Sequence, residues 1–489
     1  MPTARVSAAR LASLLADLLA DPAPDGPAYR SLADRIRLLV ADGRILHGTR
    51  LPSERELTAA LPVSRTTVAR AYAELRDRGY LTSRRGSGSI ATVPGGPQPG
   101  TANLVHPTER SATMLDLSYA APTAGVGVLT AYEAAMERLP RHLYGTGYHP
   151  AGLPVLREAL AARFTARGLP TEPDQVIVTA GAVAATAVAA RALLRTGDRV
   201  LVEHPGYPNA LATLRRQGAR LVGVPVGPAG LDLAALGDLL GAGRRSAVAG
   251  AVLVPDFQNP TGSLMREADR QLVADALRAA GAVPVVDETM VDVGLDVDAM
   301  PRPFAAFATE SVTVGSASKS YWGGLRVGWM RVPRQQVGRF LEARVSLDLG
   351  APVLEQLVVT ELLQAGEPLL EARRAELRSR RAALLQALGE QLPDWEVRRP
   401  PGGLTAWCRL PQPRSTALAV AAERHGVLLA PGASFSVDGT GLERFVRVPY
   451  TLGEERIGAA VTGLARAWSD ALQSGTQRRT RRGRAPMVA

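Results

Sequence analysis

Hydrophobic residues near the N-terminus recur at the spacing of α-helices, and a short strand pattern follows them. A first helix is predicted by apolar residues three or four positions apart, beginning with Leu32, Ile36, Leu39 and Val40. A second helix is predicted to begin after Ser53, which can form a capping box with Glu56. Ser64 can cap a third helix, and the stretch YLTSRRGSGSIAT predicts two short strands around a Gly-Ser tip. Residues 28–93 are therefore predicted to form a helix-turn-helix with a wing.

The larger, C-terminal part of the chain alternates β-branched strands with helices rich in Ala and Leu. Six strands are predicted by the stretches QVIVTAG, DRVLVE, RLVGVPV, AVLVPD, VPVVDE and SVTVGS. This alternation predicts a mostly parallel sheet with helices on both faces. Because ligands bind at the carboxyl ends of the strands in such sheets, polar residues that follow these strands are candidate site residues.

The composition divides the chain into five segments. Residues 1–27 hold an amphipathic helical extension, in which Asp17 interrupts the apolar run that a signal peptide would need, and residues 28–93 are the helix-turn-helix module. Residues 94–112, rich in Pro, Gly, Thr and Ser, are predicted to be a linker, residues 113–470 the α/β body, and residues 471–489 a basic disordered tail. No apolar run approaches membrane-spanning length, so we expect no membrane partner.

The net charge of +11 is concentrated outside the body. Residues 28–93 hold twelve arginines and six acids, and residues 478–484 add five arginines and no acid. A basic module on a neutral body predicts an anionic partner. The third helix begins with side chains suited to phosphate oxygens and base edges, namely Ser64, Arg65, Thr66 and Thr67, and the wing carries Arg84 and Arg85. The alternative is a helical packing domain whose arginines are only solvated.

Lysine and cysteine are each used once. Lys319 is the single lysine, whereas the other 56 basic residues are arginines, so position 319 is predicted to need an amine. A lysine can condense with an aldehyde when it is neutral, and an arginine, which stays protonated, cannot replace it. The single cysteine, Cys408, excludes an intramolecular disulfide and a cysteine-based metal site. The single cysteine thus predicts a cytoplasmic protein without a metal site. Because of its basic module, we expect the protein to be associated with the nucleoid when it is bound to DNA.

Four stretches at predicted strand ends hold the groups that pyridoxal 5′-phosphate (PLP) requires. The backbone N–H groups of Gly181, Ala182 and Val183 lie at a helix N-terminus and could hold a phosphate. Asn259 could donate a hydrogen bond to an oxygen, and Asp287 needs a cationic or N–H partner if it is buried. With the amine of Lys319, these groups describe a PLP site.

The body resembles the fold type I aminotransferases over residues 113–470. The stretches GTGYHPAGLPVLREALA, TAGAVAA, EHPGYP, QNPTG, VVDET, SASKSYWGGLRVGW, PGGLTAW, PGASF and FVRVPY stand in that family's order. The resemblance implies an α/β fold with a large subdomain and a small one, the small one divided between a segment before the large subdomain and one from about residue 396. It implies that Lys319 forms the internal aldimine, Asp287 keeps the pyridine nitrogen protonated and Asn259 bonds the ring hydroxyl.

The same resemblance implies roles for further residues. The phosphate would be bound by Gly181, Ala182, Val183, Ser316, Ser318 and Arg326. Tyr148 would reach the phosphate from the other subunit of a homodimer, Tyr207 would lie near the ring, and Arg447 would bind the ligand's α-carboxylate. Met290 stands where many aminotransferases carry a tyrosine that bonds the ring hydroxyl, so efficient transamination is not expected.

The N-terminal module resembles the winged helix-turn-helix of the GntR family through LPSERELTAAL, VSRTTVARAYAEL and GYLTSRRGSGS. This resemblance implies that the DNA surface includes Arg55, Arg65, Thr66, Thr67 and Gly86, with Ser64 and Arg85 beside them. Ala69 occupies a position where some members have another DNA-contacting arginine.

The combination of the two domains resembles the MocR subfamily of transcriptional regulators. It implies a double-stranded DNA operator, and an amino compound that changes the DNA binding of a homodimer by exchanging the aldimine at Lys319. We expect a regulator rather than an enzyme. Two alternatives remain open: a genuine aminotransferase fused to a DNA-binding module, and a structural DNA-binding protein with an inactive body.

Overall fold

The computed structural model of the chain describes residues 5–19, 27–42, 44–45, 47–84, 88–94, 114–241 and 248–480. The α-helices in these residues are α1 (Ala8–Leu19), α2 (Ala28–Ala41), α3 (Glu54–Ala60), α4 (Arg65–Asp77), α5 (Val128–Arg138), α6 (Pro154–Ala166), α7 (Ala182–Leu193), α8 (Pro208–Arg216), α9 (Leu233–Leu240), α10 (Glu267–Ala279), α11 (Val337–Val345), α12 (Val353–Ala365), α13 (Glu367–Gln391), α14 (Ser415–Arg424) and α15 (Glu454–Thr480). The strands are β1 (Leu81–Arg84), β2 (Gly88–Ala91), β3 (Leu115–Leu117), β4 (Val176–Thr179), β5 (Arg199–His204), β6 (Arg220–Gly227), β7 (Gly230–Leu231), β8 (Gly250–Leu253), β9 (Val283–Asp287), β10 (Val312–Ser316), β11 (Gly328–Arg331), β12 (Glu396–Val397), β13 (Thr405–Arg409), β14 (Val427–Pro431) and β15 (Phe445–Pro449). None of the helices in these ranges has both the length and the apolar character that a membrane span requires.

Helices α2, α3 and α4 and the β1–β2 hairpin form the winged helix-turn-helix. The Glu56 amide donates a hydrogen bond to Ser53 Oγ at 3.2 Å, and the Ser53 amide donates one to Glu56 Oε2 at 2.7 Å, which completes the predicted capping box at the start of α3. Ser64 Oγ accepts the Thr67 amide at 3.1 Å and so caps α4. Antiparallel pairing of β1 with β2 forms the wing, whose tip at residues 85–87 lies outside the described ranges.

Helix α1 belongs to the core of this domain. Its buried residues Leu11, Leu14 and Leu15 pack in one hydrophobic cluster with Ile36 of α2 and Tyr72 of α4. The amphipathic pattern predicted the helix, and burial of its apolar face in this cluster explains why it forms. The segment before α1 is also fixed, since the Val6 amide donates a hydrogen bond to the Arg50 carbonyl at 3.0 Å.

The large subdomain is built on a sheet with the strand order β4-β11-β10-β9-β8-β5-β6-β7. Five adjacent strands of this sheet are mutually parallel, in the order β10, β9, β8, β5 and β6. Strand β11, on the other side of β10, is antiparallel to both β10 and β4. The six strands that the sequence predicted are β4, β5, β6, β8, β9 and β10. Val314 of β10 is paired with Asp287 of β9, so the carboxyl ends of these two strands lie side by side.

The small subdomain combines two distant parts of the chain. Its sheet has the order β12-β13-β15-β14-β3, in which β3 precedes the large subdomain and pairs in parallel with β14. Helices α13, α14 and α15 cover the sheet, and Trp395 contacts Trp468 edge to face at 5.8 Å. Helix α15 continues to Thr480 because Ala471 is buried and Leu472 packs against this core, so the helix extends ten residues into the segment predicted as a tail.

We predict that Leu11→Ala will destabilise the DNA-binding domain. Loss of a fully buried leucine from a core costs about 2–5 kcal/mol, and Leu11 is buried with residues of α2 and α4. Amide hydrogen exchange of α2 and α4 in the full-length protein measures this change. Ser13→Ala, at an exposed position of the same helix, is the control, and equal exchange in the two variants would contradict the assignment of α1 to this core.

Candidate cofactor site and DNA-binding surface

The candidate site lies where three strand ends of the large subdomain meet the small subdomain. Asp287 ends β9, Lys319 follows β10 and Gly181 follows β4, while Arg447 extends from β15 of the small subdomain. The charges of Arg447, Asp287 and Arg326 all act on Lys319, so these four residues share one site. The predicted residues of the large subdomain and Arg447 of the small one are therefore brought together.

Lys319 has the environment of a reactive amine. Its Nζ donates a hydrogen bond to the Ala120 carbonyl at 2.7 Å. Loss of hydration lowers the pKa of Lys319 to about 8; the positive charge of Arg447 also lowers it, and Asp287 opposes the shift. A substantial fraction of the amine is therefore neutral near physiological pH, and the neutral form is the nucleophile.

Asp287 provides the carboxylate beside this amine. Its Oδ1 accepts the Thr289 amide at 2.9 Å, which fixes the side chain at the end of β9. Desolvation raises the pKa of Asp287, while the hydrogen bonds from Thr289 and the charge of Lys319 act in the opposite direction. A protonated pyridine nitrogen would give this carboxylate the cationic N–H partner that a partly buried acid requires.

The N-terminus of α7 forms an anion site in which two glycines are required sterically. Gly181 has φ +89°, and a Cβ there would lie 2.7 Å from Nη2 of Arg326. A Cβ at Gly328 would lie 2.6 Å from the backbone carbon of Gly181. The guanidinium of Arg326 donates to the Ala180 carbonyl at 3.2 Å, so it lies beside the free N–H groups of Ala182 and Val183.

Two serines line the turn between β10 and Lys319. The single hydroxyl proton of Ser316 can be donated to Ser318 Oγ at 3.0 Å or to the Val327 carbonyl at 3.3 Å. The Ser318 amide donates to Ser316 Oγ at 3.1 Å. These bonds fix the turn that carries Lys319, and they leave Ser318 partly accessible.

Arg447 is a buried guanidinium that is only partly paired among the described residues. It lies over the ring of Phe435 at 4.9 Å, donates to Asn259 Oδ1 at 3.3 Å and also donates to the Ser118 carbonyl. Burial lowers the pKa of Arg447 to about 10, and its Nε is buried with no hydrogen-bond partner among the described residues. A carboxylate ligand would supply the missing acceptor and the opposite charge.

The two candidate tyrosines differ in position. Tyr207 precedes α8, and its hydroxyl accepts a hydrogen bond from Asn209 Nδ2 at 3.1 Å. Burial and the nearby charge of Asp287 raise the pKa of Tyr207, which places this ring in the site. Tyr148 is 65% exposed in a segment with the exposed Leu143 and Tyr144, so the site of this chain does not enclose it.

The structure adds groups that the sequence did not identify. The carbonyls of Ser118 and Ala120 hold Arg447 and Lys319, and they come from the loop after β3 in the divided small subdomain. Backbone acceptors have no side-chain signature, so residue types could not reveal them. Phe435 lies in the PGASF stretch, whose position in the aminotransferase order was the one available signal for it.

Met290 is buried, with 4% of its surface exposed, and it packs in the core of the small subdomain. A thioether cannot donate the hydrogen bond that a tyrosine hydroxyl would give.

The start of α4 forms the candidate DNA surface. Arg55, Ser64, Arg65 and Thr66 are exposed, and Thr67 is partly buried. The hydroxyls of Ser64 and Thr67 lie 2.8 Å apart and cap the helix, so they are engaged before any DNA contact. Arg70, next to Ala69, lies 5.8 Å from the ring of Tyr29. The predicted contacts Arg85 and Gly86 lie outside the described residues.

The polar groups of the site match the phosphate, the ring nitrogen and the aldehyde of PLP. The helix N-terminus and Arg326 match the phosphate, Asp287 matches the ring nitrogen, and the amine of Lys319 matches the aldehyde. The unpaired Nε of Arg447 matches an anionic group beyond the cofactor.

Two known protein families match this chain, one in its N-terminal domain and one in its body. The aminotransferase class I and II family matches residues 116–464, and the family of bacterial regulatory proteins described as gntR matches residues 28–90. The first match covers more than half of the chain, and the second covers the winged helix-turn-helix. The fold of the body is therefore that of the PLP-dependent aminotransferases of fold type I, and its cofactor is PLP.

Three known proteins illustrate the similarity. A 2-aminoadipate transaminase of Thermus thermophilus is 33% identical over 314 residues, which cover 62% of this chain and 78% of that protein. The probable rhizopine catabolism regulatory protein MocR of Rhizobium meliloti is 28% identical over 405 residues, covering 77% of this chain and 80% of that protein. The crystal structure of LysN, an α-aminoadipate aminotransferase from Thermus thermophilus complexed with N-(5′-phosphopyridoxyl)-L-leucine, has a TM-score of 0.67 at 28% identity and covers 77% of this chain and 98% of that chain.

The two matches give a GntR domain followed by an aminotransferase domain, and a relative named as a regulator is similar over 77% of this chain. The chain thus belongs to the class I and II aminotransferase family and carries a GntR-type DNA-binding domain before it, a combination consistent with the MocR subfamily of regulators.

Proposed function

We propose that this protein is a transcriptional regulator whose PLP site senses an amino compound. The observation that carries the proposal is the joint placement of Lys319 and Arg447 in the PLP site of a chain that also has a GntR-type domain. In this proposal, the amine of the ligand would take the place of Lys319 at the cofactor aldehyde, and Arg447 would bind the ligand carboxylate. Closure of the small subdomain then changes the affinity of the protein for its DNA operator.

PLP, when bound, supplies an aldehyde that bonds reversibly to a primary amine. We assign the residues of this chain as follows. Asp287 holds a proton on the ring nitrogen, Asn259 donates to the ring oxygen and Tyr207 lies against the ring. The phosphate is held by Gly181, Ala182, Val183, Ser316, Ser318 and Arg326. The depressed pKa of Lys319 supports its role, because only the neutral amine can bond an aldehyde.

The ligand is proposed to be an amino acid. The buried guanidinium of Arg447, with Nε unpaired among the described residues, favours a carboxylate on the ligand. The names of two similar proteins, a 2-aminoadipate transaminase and a structure holding a phosphopyridoxyl-leucine, support the same class.

The active form is proposed to be a homodimer on double-stranded DNA. Exposed apolar side chains on and around α5 and at the end of α11 support a subunit interface, namely Val126, Leu129, Met136, Leu143, Tyr144, Val345, Leu347 and Leu349. Tyr148, exposed in the same region, would reach the phosphate of the other subunit. On the DNA side we propose contacts from Arg55, Ser64, Arg65, Thr66, Thr67, Arg85 and Gly86.

Aminotransferase activity is the second candidate. The 33% identity with a 2-aminoadipate transaminase favours it, whereas the buried thioether of Met290 does not supply the hydroxyl of an efficient enzyme. Mixing the PLP-bound protein with amino acids and then with a 2-oxo acid distinguishes the two, because many turnovers would contradict a purely regulatory site.

We predict that Lys319→Arg will keep the fold and the charge but lose the covalent bond to PLP. An arginine stays protonated and cannot bond the aldehyde. Absorbance of the cofactor bond reports the loss, and anisotropy of a labelled DNA duplex, selected from a random pool by the wild-type protein, reports DNA binding. The variant should bind this duplex without any response to amino acids. Formation of a covalent PLP adduct by the variant would disprove the role of Lys319.

The reaction of the PLP-free protein with PLP should accelerate with pH around pH 8. The neutral amine of Lys319 becomes the major form above its pKa of about 8, compared with an ordinary lysine value of 10.5. Arg447→Gln removes a positive charge that favours the neutral amine, so the midpoint should move to higher pH. Stopped-flow absorbance measures the rate. Arg424→Gln, at an exposed arginine paired with Asp470, should leave the midpoint unchanged.

Arg65→Gln should weaken DNA binding. If the guanidinium contacts a phosphate, affinity should fall for all sequences, and the slope of log K against log salt should decrease by about 0.9. If it contacts a base, the loss should be about 1–3 kcal/mol and confined to sequences carrying that base. Arg76→Gln removes the same charge from the last turn of α4 and serves as the control. Equal binding by the two variants would remove Arg65 from the DNA surface.

A further inference from the structure

The DNA-binding domain contacts both subdomains of the body. On one side, Arg10 of α1 forms an ion pair with Asp232, the residue that caps α9 of the large subdomain. On the other side, the C-terminal end of α2 contacts residues 439–444 of the small subdomain, which we call the docking loop. The domain therefore spans two parts of the body that belong to separate sheets.

The docking loop donates a hydrogen bond to the C-terminal end of α2. The Leu442 amide donates a hydrogen bond to the Ala41 carbonyl at 2.9 Å. Ala41 is the last residue of α2, so its carbonyl has no acceptor role within the helix. Gly441 and Leu442 both have positive φ, +76° and +57°, and this left-handed backbone directs the amide at the helix. A specific, directional contact therefore joins the two domains.

Charge reinforces the same contact. Asp42, which follows α2, has a side chain that is only 12% exposed, and its Oδ2 lies 4.0 Å from Nη2 of Arg409. Burial raises the pKa of Asp42, and the positive charges of Arg409 and then Arg444 oppose this rise. Arg444 belongs to the docking loop, and its guanidinium donates to the Pro411 carbonyl at 2.8 Å, which ties the loop to the end of β13. Neutralising Asp42 would leave two arginines facing each other at the interface.

A continuous set of packed groups joins the docking loop to the ligand arginine. Phe445, directly after the loop, stacks on Trp407 at 5.3 Å, and Trp407 contacts Phe435 at 5.6 Å. Phe435 in turn supports the guanidinium of Arg447 at 4.9 Å. Strand β15 holds both ends, since Phe445 and Arg447 lie two residues apart in it. Arg447 and the docking loop are therefore joined both along β15 and through three packed aromatic rings.

We propose that the DNA-binding domain acts as a bridge between the two subdomains and that its orientation reports their relative position. It is attached to the large subdomain through Arg10 and to the small subdomain through Ala41 and Asp42. When a ligand carboxylate draws Arg447 and the small subdomain toward the cofactor, the two attachment points move relative to each other. Helix α2 packs on the DNA-reading helix α4 through the same core, so this movement re-orients α4. The inference rests on the proposed sensing function and adds the route by which the signal reaches DNA.

Variants at the two attachment points test the bridge. The full-length PLP-bound protein is used with the selected DNA duplex, and the proteinogenic amino acids are added singly as ligand probes. In the wild-type protein we expect a probe to change the Kd for DNA by a factor in the usual allosteric range of about 5 to 150. In Asp42→Asn and in Arg10→Gln this factor should approach one, while the cofactor absorbance should respond to the probe as in the wild-type protein.

Matched controls use an ion pair that lies away from the DNA-binding domain. Arg424 and Asp470, 3.4 Å apart on α14 and α15 of the small subdomain, carry the same charges as Arg10 and Asp42. Arg424→Gln and Asp470→Asn should keep the wild-type factor. If Asp42→Asn and Arg10→Gln also keep it, the bridge is wrong although sensing stands. If no amino acid changes the DNA affinity of the wild-type protein, the sensing function fails and the bridge fails with it.

Amide hydrogen exchange of the wild-type protein gives a second test that does not depend on the folding of a variant. A probe that alters the cofactor absorbance should change exchange in residues 36–41 of α2 together with the docking loop, residues 439–444. A change in the docking loop without one in residues 36–41 would overturn the proposal, because the loop would then move without the helix.

Discussion

Burial of the Lys319 amine between a carboxylate and two guanidinium groups is the constraint on which the function of this fold depends. A lysine in water stays protonated, but loss of hydration and the charge of Arg447 favour its neutral form here. Asp287 limits this shift and lies at the end of the adjacent parallel strand. The large sheet therefore fixes the carboxylate beside the amine, whereas the charge of Arg447 comes from the sheet of the small subdomain. No arginine could take this position, although the chain uses arginine at every other basic position.

The same site draws groups from both subdomains. The large subdomain supplies the amine, the carboxylate and the anion site at α7, in which Gly181 and Gly328 allow the backbone and Arg326 to approach closely. The small subdomain supplies Arg447, and the loop after β3 supplies the carbonyls that hold Arg447 and Lys319. In the proposed function, a ligand with both an amine and a carboxylate would contact both subdomains at once, and its binding free energy would be coupled to their relative position.

Regulation and catalysis share the first part of this chemistry. An enzyme and a sensor both need a displaceable amine and a carboxylate clamp, which is why the body is similar to a transaminase and to a regulator at comparable identity. The features peculiar to a regulator lie elsewhere, in the contacts of Asp232 and the docking loop with the N-terminal domain. An aminotransferase body without an N-terminal domain could not form these contacts, because the partner residues belong to that domain.

The sequence by itself determined the elements and the reactive groups. Helical spacing predicted α2 to α4, the capping box at Ser53 formed as predicted, and the six predicted strands occur in the large sheet. The single lysine predicted a reactive amine at position 319, because the chemistry of a side chain can be read from the residue type alone. Only the tertiary structure decided that α1 joins the DNA-binding core, that the Ser118 and Ala120 carbonyls enter the site, and that the docking loop meets α2. These contacts join positions far apart in the chain, often through backbone atoms, and periodicity and residue type carry no information about such pairings.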